Sequence, residues 1–201
     1  MDIDPIAAED GIFRGCWANT GRWSHAFGSA IETGAVNAEI VCLVEEADAP
    51  SPTGFRPVVT RFIAGNRQGQ MFDNVAFQPH TGNLVVLEDG PVNVANPDGT
   101  IRLIRGNDMW ICLPDGDDDG DQTDGCVRFA SIRDTTAEPT GFIFLDSGEA
   151  AFVNIQHRKV NDQKSLGGAG ALIKISGFDI RPNSRGHHRD NDDNDNRGHN
   201  N

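Results

Sequence analysis

Residues 72–90 read FDNVAFQPHTGNLVVLEDG. Two apolar runs, one ending at Phe77 and one spanning Leu84–Leu87, flank a polar turn that carries Gly82 near the left-handed position. That is the pattern of a β-hairpin. Acidic and amide side chains sit at its ends: Asp73 and Asn74 before the first strand, Glu88 and Asp89 closing the second. Residues 137–158, AEPTGFIFLDSGEAAFVNIQHR, repeat the layout, with a turn at Asp146-Ser147-Gly148 and Glu138 just before the first strand.

The two hairpins are related by an offset of 66 to 68 residues, as from Asn74 to Thr140 and from Gly82 to Gly148. Other strands fit the same scheme. Glu39–Cys42 resembles Met109–Cys112, and Thr60–Phe62 resembles Val127–Phe129. A repeat of this length with about four short strands is a blade period. No segment carries an apolar 3.6-residue period of helix length. The fold expected is therefore all-β: a partial β-propeller of two to three four-stranded blades across 38–180. An irregular segment precedes it at 1–37. Residues 181–201, rich in Asp, Asn and His, form a tail without apolar anchors, expected to be disordered. A closed propeller needs more blades than this, so the expectation is a portion of a larger ring or a chain that self-associates.

Composition excludes some roles. The chain has 17 basic and 30 acidic side chains, net −13. That charge disfavours nucleic acid and anionic membrane surfaces as partners. No apolar run approaches the length of a spanning helix. The N-terminal stretch lacks a basic segment followed by an apolar core, so no signal peptide is expected within it.

Several carboxylates are candidates for metal binding. Asp73, Glu88, Asp89 and Glu138 lie at strand ends, where successive blades bring side chains to the mouth of a central channel. Carboxylates gathered there need a cation to offset their repulsion; the alternative is that they cap turns. Asp115, Asp117, Asp119 and Asp121 match the start of a calcium loop, yet the twelfth position is Cys126 rather than a bidentate acid. Cys112 and Cys126 bracket that acidic loop, a placement compatible with a disulfide at the base of a hairpin or with two buried thiols.

At residues 72–90, 108–131 and 137–158 the chain resembles the PhoX-type alkaline phosphatases, the last stretch being the most specific. The resemblance covers roughly residues 38–178, the family's C-terminal part. It implies a β-propeller, a mixed calcium–iron centre, hydrolysis of small phosphate monoesters and a periplasmic or extracellular location. It maps an acidic metal ligand best onto Glu138, with Asp73 and Glu88 next. The chain departs from the family upstream: RGCWANTGRW around Cys16 does not match the motif that supplies the iron-bridging thiolate. The expectation is a portion of a PhoX-like phosphatase that is inactive alone and needs its N-terminal half or self-association. The alternative is a non-catalytic calcium-binding propeller module.

Overall fold

The computed structural model describes residues 1–20, 38–45, 57–64, 72–89, 91–95, 101–114, 123–134, 137–157, 159–160, 163–164 and 170–181. Among the described residues the protein is all-β apart from one five-residue helix, α1 (Pro5–Glu9). Three antiparallel sheets carry the core. Sheet I runs β1 (Asp2–Ile3), β2 (Arg14–Asn19), β3 (Glu39–Glu45), β4 (Pro57–Ala64). Sheet II runs β5 (Phe72–Phe77), β6 (Leu84–Glu88), β9 (Asp108–Cys112), β10 (Cys126–Ser131). Sheet III runs β11 (Glu138–Phe144), β12 (Ala150–Gln156), β15 (Ala171–Ser176). Two small hairpins interrupt the meanders. β7 (Pro91–Ala95) and β8 (Ile101–Gly106) lie between β6 and β9; β13 (Lys159–Val160) and β14 (Gln163–Lys164) lie between β12 and β15.

The sheets stack I on II on III through two apolar layers. Cys16, Ile40, Cys42 and Phe62 of sheet I meet Val75, Phe77, Leu84, Val86 and Cys112 of sheet II. On the other side of sheet II, Val85, Leu87 and Met109 meet Phe142, Ala151, Val153 and Ile155 of sheet III. Phe129, Phe142, Phe144 and Phe178 fill this second layer edge to face, with ring centroids 5.1–6.3 Å apart. Because side chains alternate along a strand, β6 sends Leu84 and Val86 into one layer and Val85 and Leu87 into the other. All of its residues are buried. β5 lies between β2 and β11, so the first long strands of the three sheets are neighbours.

The repeat is visible in this order. β5 and β6 open sheet II as β11 and β12 open sheet III, and β3 and β4 hold the third and fourth places of sheet I as β9 and β10 do in sheet II. The paired turns are tied together by a buried side chain. Gln78 donates through Nε2 to the carbonyls of Gly148 (3.0 Å) and Asp179 (2.8 Å). Its Oε1 accepts from Thr81 and Asn83, each at 2.9 Å. Gly148 has φ 71°, and a Cβ there would lie 2.8 Å from the Pro79 carbonyl oxygen, so this turn requires glycine.

One sequence expectation is corrected. Residues 1–37 were expected to be irregular, but 1–19 contain β1, α1 and β2. Asp4 caps α1 by accepting from Ile6 (2.9 Å) and Ala7 (3.4 Å), and it pairs with Arg14 at 3.2 Å. Asp2 accepts from the Phe77 amide at 2.8 Å, and Cys16 is bonded to Cys42. The strand escaped detection because Trp17 and the exposed Phe13 obscure its alternation; the buried side chain is the small Cys16. Residues 91–95 form β7, paired with β8, although Pro91 and Asn93 give the stretch little strand character. The acidic loop with Asp115, Asp117, Asp119 and Asp121 and the tail from residue 182 lie outside the described residues.

Cys112 and Cys126 are bonded, as are Cys16 and Cys42, so no cysteine is free. Both bridges join directly opposed residues of neighbouring strands. Their sequence separations of 14 and 26 set the loops they close in the unfolded chain. Each then contributes about 3 kcal/mol on the chain-entropy scale. Urea titration with and without reductant should show the midpoint falling on reduction, and thiol alkylation of the unreduced, unfolded chain should label nothing. Gln78→Ala strands two carbonyls and should lower stability by about 2–3 kcal/mol in the same titration.

Candidate acidic site at the start of β5 and β11

Asp73 is the second residue of β5, at a register shift between Phe72 and Asn74 that places it outside the regular ladder. Asp89 follows the last residue of β6 directly. Glu138 is the first residue of β11. Because β11 packs against β5 and β6, these three acids meet at one end of the stack. The Glu138 side chain is 17% exposed and hydrogen-bonds Asp89.

Amides and hydroxyls complete the surroundings. Asn74 Nδ2 donates to Asp73 Oδ2 at 2.7 Å and to Thr140 Oγ1 at 3.4 Å, so the two repeat-equivalent residues touch across β5 and β11. Thr20, just past β2, donates to Asp73 Oδ1 at 3.5 Å. His157 follows β12 with φ 57°, and its Nε2 is 4.0 Å from Glu138 Oε1.

The Glu138 carboxyl is pushed up to about 8. Burial is the largest cause, followed by the hydrogen bond to Asp89 and then the negative charges of Asp89 and Asp73. At neutral pH the group is therefore a neutral acid beside carboxylates. Such a pair can deliver a proton near neutrality, or release one when a cation arrives and takes over the charge compensation. Asp73 acts on Glu138 through charge. Among the described residues, no group of three or more His, Cys, Asp and Glu side chains is arranged to hold a metal ion as it stands.

Glu88 is not part of this cluster. It is 2% exposed and accepts from the Asp108 amide at 3.3 Å and the Trp110 indole at 3.1 Å. Asp108, equally buried, pairs with Arg128 at 2.9 Å, and the Arg128 guanidinium lies 5.9 Å from the Trp110 ring centre. Glu88 belongs with Leu84 and Val86 on the sheet I side, so period-two alternation separates it from Asp89. Its sequence position suggested a ligand; its contacts are those of a buried structural acid. Asn74, Thr140 and His157 were not singled out from the sequence as site residues. The repeat equivalence of Asn74 and Thr140 was the available signal.

Comparison with protein-family models, with curated proteins and with solved structures found no match.

The raised Glu138 carboxyl has a thermodynamic signature. The folded chain keeps this proton up to about pH 8, whereas the ordinary value is 4.5. Between those values the native state binds more protons than the unfolded one, so the contribution falls as pH rises and levels off above about 8. Thermal melts of wild type and Glu138→Gln should diverge across this window, with the variant the more stable at the alkaline end. Parallel curves would show that Glu138 does not carry the shift.

Proposed function

We propose that this chain is a calcium-binding β-propeller portion of a PhoX-like phosphohydrolase, with Asp73, Asp89 and Glu138 as the cation-facing acids. The observation that carries the reading is the gathering of these three acids, with Glu138 held protonated by burial and by its acidic neighbours. The propeller reading is supported by the stacked meanders, whose first long strands β2, β5 and β11 lie side by side. An all-oxygen donor set suits a hard cation such as calcium. A bound calcium supplies charge stabilisation to a phosphoryl oxygen. The chain's own residues would release the Glu138 proton and orient Asp73 through Asn74.

Iron fits less well. The family's bridging thiolate has no counterpart here, because all four cysteines are in disulfides. That observation favours a second reading, in which the chain is a non-catalytic calcium-binding module. Both readings put the protein in an oxidising compartment, periplasmic or extracellular, where such bridges persist.

Isothermal titration with calcium in buffers of different ionisation enthalpy tests the shared part. The expected result is binding coupled to proton release near pH 7, lost in Glu138→Gln. Absence of any calcium heat and of any rise in Tm with calcium overturns the cation reading. A chromogenic phosphate monoester then separates the two. The expected outcome is no turnover by this chain alone with calcium; metal-dependent turnover that Glu138→Gln abolishes would instead give this chain a complete catalytic site.

A further inference from the structure

An antiparallel sheet with one wet face alternates apolar and polar residues along its strands. β3 does not. Ile40 and Cys42 are buried in the layer against sheet II, and the intervening Val41 and Leu43 face the other way, half-buried. Trp17 of β2 is the register partner of Val41, and Val59 of β4, 56% exposed, is the partner of Leu43. The outer face of sheet I therefore carries an apolar centre of Trp17, Val41, Leu43 and Val59, flanked by Glu39, Glu45 and Arg61. At the other end of the stack, Ala151, Val153 and Ile155 point into the second layer. The opposite face of sheet III carries Phe152 with its partner Ile143, and Leu172 opposite Asn154. Ile143 and Leu172 are 64% and 65% exposed. Exposed apolar side chains grouped on one sheet face mark an interaction face.

We propose that a second copy of this chain covers these faces, with the outer face of sheet III in one copy lying on the outer face of sheet I in the other. The order of stacking inside the chain supports this occupant. Sheet I meets sheet II, and sheet II meets sheet III, each time through the trailing face of one sheet and the leading face of the next. The two faces left over are a trailing face and a leading face, so one head-to-tail contact continues the existing series. Charge points the same way. Lys174, the register partner of Phe152, sits in the sheet III face, whereas Glu39 and Glu45 bracket Val41 and Leu43 on the sheet I face, with Arg61 opposite Val41. Pairing sheet III with sheet III sets Lys174 against Lys174, and pairing sheet I with sheet I leaves the glutamates in excess over Arg61. The contact is heterologous, and two copies satisfy all four faces if it closes on itself. This association is independent of the cation site.

Sedimentation of the full chain across a concentration series tests it. Wild type should sediment at or above twice the monomer mass. Leu172→Glu and Val59→Glu alter exposed positions, one on each face, and each variant alone should be monomeric. An equimolar mixture of the two should regain an associated species, because each supplies the face that the other lacks. Wild type that is monomeric at every concentration overturns the proposal and leaves the faces to a different protein. Association of either folded variant alone overturns it too, since that requires like face on like face. Far-UV circular dichroism checks that the variants keep their strands; where one does not, the wild-type mass decides.

Discussion

The fold depends on the two-sided burial of β6. Four consecutive apolar residues, Leu84 to Leu87, divide between two layers, so sheet II can exist only with sheet I on one face and sheet III on the other. Removing either outer sheet would expose half of this strand to water at a cost of about 25 cal/mol for each Å² of apolar surface. The outer sheets are not held to the same standard. Each is buried on one side, and the two disulfides lie beside the layer between sheets I and II. Cys16–Cys42 lies within sheet I and Cys112–Cys126 within sheet II, and they face the same layer. The bridges therefore fix strand pairing beside the first layer, and the second layer has four phenylalanines in edge-to-face contact.

The same stacking explains why the acids gather. With β5 beside β11, residues that open these strands are brought together at one end of the stack whatever their charge. Nothing basic among the described residues answers Asp73, Asp89 and Glu138 there, apart from His157 at 4.0 Å from Glu138. The fold answers the repulsion by keeping a proton on Glu138. An acid so placed is destabilising when ionised, whereas two other buried acids of the described residues sit beside guanidinium groups. Asp4 has Arg14, and Asp108 has Arg128. This contrast between clustered carboxylates and arginine-paired ones is the physical basis for reading the cluster as a site rather than as a solvated surface.

Much of this was legible in the sequence because period-two patterns and turn glycines are local. The hairpins around Gly82 and Gly148, the repeat that relates them and the all-β class follow from residues close together in the chain. The meeting of Asp73 with Glu138 was also within reach, since the repeat places both before equivalent strands. What lay beyond the sequence depended on distant partners. Cys16 reads as an isolated cysteine until Cys42 is set opposite it. β7 has no local signal stronger than its flanking Pro, Asn and Gly. Glu88 looks like a ligand because it adjoins Asp89, and only the pleat shows that neighbours on a strand face opposite layers.

That last point makes register the variable on which the site turns. Shifting β6 by one residue would carry Glu88 toward the cluster and bury Asp89 against sheet I, where Trp110 and the Asp108 amide are placed for a glutamate. Several features oppose such a slip. Cys112 is the partner of Leu84 on one side and of Cys126 on the other, so the disulfide locks β9 against β10 and the ladder carries that lock to β6. Gln78 binds the turn that leads into β6, and the irregularity at Asp73 absorbs the extra residue that would otherwise put the two hairpin strands out of step. The identity of the site is therefore set less by the acids themselves than by the bridge, the buried amide and the bulge that decide which of two adjacent carboxylates faces sheet III.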